Sequence, residues 1–176
     1  MSAVVESINM ASTGGAARIF DCVAEEVIEN GMVGGLGDLA DGETHIYKFN
    51  KGVPEGHTYV IVDQPAWDAD TSRMSNQRRD KFVIPAGTPF RVRELARNDE
   101  FGLSLDGFTI ASQSEAKVGA YVTVDTATGK FVAQSAKPGS GSYGKIMRTR
   151  MVGDTLVTTA HTYGGSTKLF EIRILN

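Results

Sequence analysis

The sequence predicts a mostly β-strand protein, and three observations carry that expectation. Glycine is frequent, with 20 glycines against five prolines. Short β-branched and aromatic runs recur between turns rich in glycine and aspartate. The clearest runs alternate apolar with charged residues, as a strand with one wet face does.

Residues 1–15 are small and polar, with Val4, Val5, Ile8 and Met10 scattered among Ser, Thr, Asn and Ala before Thr13-Gly14-Gly15. So few apolar side chains cannot build a core of their own. The segment therefore reads as a flexible N-terminal arm, 1–15, ahead of a β-rich domain, 16–176. Such an arm is either a frayed terminus or a strand that orders on a partner's sheet edge, with Val4, Val5, Ile8 and Met10 as its contacts. Residues 17–30 are ambiguous between helix and strand. Phe20, Val23, Ala24, Val27 and Ile28 fall at helical spacing, yet Ile19, Val23, Val27 and Ile28 are β-branched. The glycine-rich run Gly31 to Gly37 follows.

From Gly42 the pattern is strand after strand. Ile46, Tyr47 and Phe49 mark one over 43–49, and Thr58 to Val62 another. Lys81 to Ile84 leads into the Pro85-Ala86-Gly87 turn, and Phe90-Arg91-Val92-Arg93 alternates cleanly. Ala120, Val122 and Val124 share a face and run into Asp125-Thr126-Ala127-Thr128-Gly129, where aspartate can bind amides ahead of it and glycine can adopt positive φ. Lys130-Phe131-Val132 returns, giving the best-specified hairpin in the chain. Lys145 to Val152, a Gly153-Asp154 turn and a returning 155–160 follow. Phe170, Ile172 and Ile174 alternate with Glu171 and Arg173 to close the chain. Two stretches read as loops: the polar 65–80, with Trp67, Arg73, Arg78 and Arg79, and the Gly/Ser-rich 137–144. The first has the aromatic and arginine content of a contact surface, or is a mobile insertion.

Composition narrows the function classes. A length of 176 residues fits one domain. Net charge is −3 and pI ≈ 5.6, against the basic face expected of a nucleic-acid binder. One cysteine, Cys22, cannot form an internal disulfide. No apolar run approaches a membrane span, and the first residues lack the pattern of a secretory leader, so a cytoplasmic site of synthesis is expected.

Searching for chemistry yields little. Gly139-Ser140-Gly141-Ser142-Tyr143-Gly144-Lys145 matches most of a phosphate-binding loop, but Ile146 replaces the metal-binding hydroxyl and the residues after it look extended. His45, His57 and His161 are far apart, and Asp68-Ala69-Asp70 supplies too few oxygens for a calcium loop. Glu25-Glu26 reads as a solvated pair. Cys22, among Phe20, Val23 and Ala24, reads as a small buried hydrophobe. No catalytic residue, metal ligand or cofactor site is expected.

The order of segments is more telling than any motif. Ile28 to Val33 comes first, then Phe82-Val83-Ile84-Pro85-Ala86-Gly87-Thr88-Pro89-Phe90-Arg91-Val92. Lys117 to Val122 leads into the Asp-Thr-Ala-Thr-Gly-Lys hairpin, and Tyr143-Gly144-Lys145-Ile146 precedes the last strands. In this order, over roughly 17–175, the chain resembles the head decoration (capsid cement) proteins of tailed bacteriophages. The resemblance implies a small β-barrel or β-tulip-like domain with an extended N-terminal arm, and 17–30 at least partly extended. It implies a virion structural protein on the capsid exterior, bound to the major capsid protein and to its own copies as a trimer. It brings no catalytic residue, cofactor, nucleic acid or membrane. Two alternatives stay open: another phage β module from a tail, baseplate or fibre attachment, and a carbohydrate-binding or enzymatic β domain.

Overall fold

A computed structural model describes residues 2–12, 14–15, 18–52, 59–64, 82–152, 156–157, 162–163 and 167–175, with backbone alone for 152, 156–157 and 162–163. The protein is mostly β, as expected, and contains a closed barrel. The strands are β1 (Val5–Asn9), β2 (Ile19–Val23), β3 (Ile28–Glu29), β4 (Val33–Leu39), β5 (Ile46–Lys51), β6 (Tyr59–Val62), β7 (Val83–Ile84) and β8 (Phe90–Glu94). They continue with β9 (Glu100–Ser104), β10 (Tyr121–Val124), β11 (Phe131–Gln134), β12 (Gly144–Val152), β13 (Leu156–Val157), β14 (Thr162–Tyr163) and β15 (Thr167–Ile174). Two 3-10 turns, Leu105–Gly107 and Ile110–Glu115, separate β9 from β10.

The barrel closes in the order β2-β5-β4-β6-β8, with β8 pairing back onto β2. Phe20, Leu36, Tyr47, Phe49, Val60, Val62, Phe90 and Val92 pack around buried Cys22. Phe49 and Phe90 meet edge to face at 5.4 Å, and Phe20 and Tyr47 at 5.7 Å. The short pair β3–β7 adds Ile28 and Ile84 to this core. Residues 17–30 are therefore strands wherever they are described as regular structure. The apparent helical stripe fails at Val27, which is 56% exposed, whereas Phe20 and Cys22 alternate inward between partners β5 and β8. The glycine-rich run is also a strand. A side chain at Gly34 would strike the Phe49 ring, 2.6 Å from its Cζ, so the missing Cβ is what admits that phenyl group.

The second layer is a six-stranded sheet in the order β1-β9-β15-β12-β10-β11. Its inner face brings Val5, Phe101, Leu103, Val122, Phe131, Ile146, Phe170 and Ile172 against Val33 and Ile61 on the outside of the barrel. Strand β6 is thus buried on both sides. Val60 and Val62 point into the barrel, and Tyr59 and Ile61 point to the sheet. Two glycines let the layers dock. Gly52 and Gly129 both have positive φ, and a Cβ on Gly129 would lie 2.7 Å from the Val33 carbonyl oxygen. The Val33 amide donates to the Gly129 carbonyl at 2.8 Å, and the Gly52 amide to the Val33 carbonyl at 3.0 Å. The 125–129 hairpin tip is pinned by Asp125, which accepts from the Thr128 hydroxyl at 2.5 Å; that bond lowers the pKa of the Asp125 carboxyl.

Two expectations need correction. Residues 2–12 of the expected arm belong to the domain. Strand β1 pairs with β9, and Ala3, Val5 and Met10 lie in the interlayer core. A segment too sparse to build a core can still complete one when it extends an existing sheet. The buried Asp99 carboxylate fixes its exit, accepting from the Ala11 amide at 2.7 Å and the Ala96 amide at 2.8 Å. Secondly, the described part of 155–160 does not return along β12. Leu156 and Val157 pair with Tyr163 and Thr162, and β15 takes the long antiparallel register with β12.

Candidate functional site

The outer face of the six-stranded sheet is where polar and aromatic side chains converge. One cross-strand row spans all six strands: Asn9, Glu100, Arg173, Lys145, Tyr121 and Gln134 occupy paired positions on β1, β9, β15, β12, β10 and β11. A neighbouring row aligns Glu6, Gly102, Glu171 and Arg148. Lys145 and Arg148 are three residues apart, so a regular strand would put them on opposite faces. The register of β12 shifts between Ile146 and Arg148, with Met147 as the extra residue, and this returns Arg148 to the outer side.

Ion pairs order these side chains. Glu171 is only 7% exposed, and its two oxygens go to Arg148 and, at 2.9 Å, to Arg150 Nε. Arg150 Nη2 also lies 2.9 Å from Glu6 Oε2, and Arg173 Nε donates to Glu100 Oε1 at 2.6 Å. The Glu171 carboxylate raises the pKa of the Arg148 guanidinium. Beside this grid, Tyr121 and Tyr143 meet at 6.0 Å with their planes at 65°. Lys145 Nζ lies 5.5 Å from the Tyr121 ring centre and Lys137 Nζ 5.7 Å from that of Tyr143. Met147 is also exposed here, at 41%.

An open depression of about 440 Å³ on this face is lined by Glu100, Met147, Arg148, Glu171, Ile172 and Arg173. Among the described residues it holds neither a histidine nor a hydroxyl or thiol nucleophile. Both Glu171 oxygens, and Glu100 Oε1, are engaged by arginines. General acid–base work needs a carboxyl aimed at substrate, and these are aimed at guanidinium groups. What the arrangement offers is a broad, fixed field of paired charges with two tyrosines and Met147 at its margin.

The contact residues expected from the sequence fall elsewhere. Val4, Val5 and Met10 are 5%, 3% and 3% exposed, and Ile8 is half-buried, so the set expected to meet a partner is turned largely into this chain's own fold. Trp67, Arg73, Arg78 and Arg79 lie outside the described residues, as do His57 and His161. His45 is exposed, with its ring 3.4 Å from the Thr44 hydroxyl. Cys22 is buried, and burial pushes its thiol up from 9.0 to about 12, which leaves it a packing group. The phosphate-loop match ends in strand β12, so no helix N-terminus faces a phosphate there. Among the described residues no cluster of three His, Cys, Asp or Glu could hold a metal ion, and no helix is long and apolar enough to cross a membrane.

Sequence reasoning missed the residues of the outer face. Glu171 and Arg173 are visible as the polar half of an alternating strand, and Lys145, Arg148 and Arg150 as cations in another. Their convergence depends on strand order and on the β12 bulge, which periodicity does not encode. Comparison with known proteins found no matching family model, and neither a curated protein nor a solved structure is significantly similar to the chain.

Proposed function

We propose that this chain is a virion structural protein of a tailed bacteriophage that binds the exterior of the assembled capsid and stabilises it. Its partners are the major capsid protein and further copies of itself, assembled as a trimer on the shell after synthesis in the host cytoplasm. The observation that carries the reading is the continuous row from Asn9 to Gln134 across all six strands of one sheet face. Such a face suits docking to a broad protein surface. Ion pairs already hold its arginines in place, so association orders few long side chains. Arginine and tyrosine are among the residues that most often dominate such interfaces.

The order of segments that resembles capsid cement proteins supports the same reading, and four of the five quoted stretches include part of a strand. A protein that binds the assembled shell and not its loose subunits shifts the equilibrium toward the shell. Modest contacts repeated over a lattice add by avidity. A carbohydrate platform is less well supported, because Tyr121 and Tyr143 meet at 65° and present no flat stacking surface.

The test is to mix the purified chain with undecorated capsids from the same phage and pellet them. Binding at a fixed, lattice-matched copy number is expected, with delayed thermal rupture of the shell. Failure to co-sediment at saturating protein refutes the proposal. Deleting residues 1–15 is a poor control here, because it strips β1 and part of the interlayer core from the fold.

A further inference from the structure

The interlayer core opens to the surface at one margin. The half-buried apolar side chains packed at its margin are Tyr59, Leu95, Val124 and Ile174, and all four line a single open cavity of about 130 Å³. An engineered apolar cavity of about 150 Å³ is large enough to hold benzene, so this one is sized for a single branched or aromatic side chain. Arg97 and Tyr143 also line it.

Among the described residues, the positive charge near the mouth has no carboxylate partner. Arg91, Arg93, Arg148, Arg150 and Arg173 all have carboxylate partners within ion-pair distance. Arg97 is exposed and has no ion pair among the described residues. Lys137 rests over the Tyr143 ring, likewise without a carboxylate among the described residues. An apolar socket lined by Arg97, with Lys137 over the lining Tyr143 and neither paired to a carboxylate among the described residues, matches one kind of occupant: a bulky apolar side chain with carboxylates beside it.

We infer that this cavity is the anchor pocket of the partner interface, taking one branched or aromatic side chain from an acidic segment of the partner protein, whose carboxylates face Arg97 and Lys137. The inference rests on the protein-binding reading above and adds the chemistry of the segment recognised. The pocket supplies the desolvated anchor that a field of paired surface charges lacks.

Two experiments test it. The first titrates the isotope-labelled full chain with acetyl-Asp-Phe-Asp-amide, following backbone amide resonances. Saturable shifts are expected at Thr123, Val124, Tyr143 and Ile174, with a dissociation constant on the order of 1 mM. Acetyl-Asp-Ala-Asp-amide and acetyl-Lys-Phe-Lys-amide should each bind at least about tenfold more weakly, as should Asp-Phe-Asp to the Arg97→Glu chain. No saturable shift, or equal shifts from all three peptides, overturns the inference. So does a change in the self-association of Arg97→Glu by sedimentation with no peptide response, because the occupant is then a second copy of the chain.

The second experiment repeats capsid pelleting with Arg97→Glu and with Ser142→Trp, which fills the pocket from its lining. Both should lose capsid binding while keeping the parent's thermal midpoint. If Ser142→Trp does not fold, Arg97→Glu decides, since that side chain is exposed. If the parent and Arg97→Glu pellet equally, the pocket falls and the capsid reading stands. If the parent itself does not pellet, the capsid reading falls, and the peptide titration decides the pocket alone.

Discussion

The barrel and the six-stranded sheet use the same residue types to opposite ends. The barrel closes on itself, so its strands have one face inside and, for β4 and β6, a second face pressed on the sheet. The sheet stays open, and the end of its outer face that runs from Asn9 to Gln134 collects the charges, the tyrosines and Met147, whereas Leu169 on the same side is fully buried. The contrast separates labour within a small molecule. The barrel is scaffold, and the sheet it backs is presentation surface. Between them lies the larger core, to which both contribute.

If that core is truly shared, the two layers unfold together. Phe101→Ala removes a wholly buried ring that lies 5.7 Å from Phe131, and should destabilise the chain by about 3–5 kcal/mol in urea titration. The transition should stay single, reported alike by far-UV circular dichroism and by the tyrosines, of which Tyr47 and Tyr59 lie on the barrel and Tyr121 on the sheet. Two separated transitions would make the layers independent domains. A more selective break is Gly52→Ala, which puts a side chain at positive φ against the Thr126 carbonyl of the docked hairpin. A loss of about 2 kcal/mol is expected, with amide exchange rising first in 125–130.

A smaller effect is expected at the terminus. Asp99→Ala leaves the Ala11 and Ala96 amides without their acceptor, at about 1–2 kcal/mol, and should make residues 2–12 the earliest site of proteolysis. Were the segment a free arm, that change would leave proteolysis of 2–12 unaltered.

The smallest effect sharpens the view of the barrel as inert scaffold. Cys22 should resist thiol reagents at pH 8 until the chain unfolds. Its folded pKa is raised from 9.0 to about 12, so between those values the folded chain holds a proton the unfolded chain releases. Stability present below pH 9 is therefore lost as pH rises toward 12, and Cys22→Ala should flatten that slope in alkaline urea titrations.

The same contrast governs what could be read from the sequence. Strands with one wet face announce themselves: Phe170, Ile172 and Ile174 alternate with Glu171 and Arg173 and sit as their period requires. The 125–129 hairpin is legible because Asp125 and Gly129 have specific turn roles. Barrel strands hide. Val33–Leu39 is disguised by glycines that make room for Phe49, and 19–29 mimics a helix by chance spacing of apolar residues. Residues 2–12 mislead because their burial depends on β9, about 90 residues away and without a clear pattern of its own. The outer-face site is illegible for a related reason. Its residues come from six strands whose order in the sheet is not their order in the chain.

The central claim is that the outer face of the sheet, and not the barrel, meets the partner. Residue-resolved covalent labelling of lysines and tyrosines, on the free chain and on capsids carrying it, tests this directly. Lys137, Lys145, Tyr121 and Tyr143 should become several-fold less reactive on the capsid, while Lys48, exposed on the barrel strand β5, should not change. Unchanged labelling of the four with protection at Lys48 would place the contact on the barrel and contradict the account.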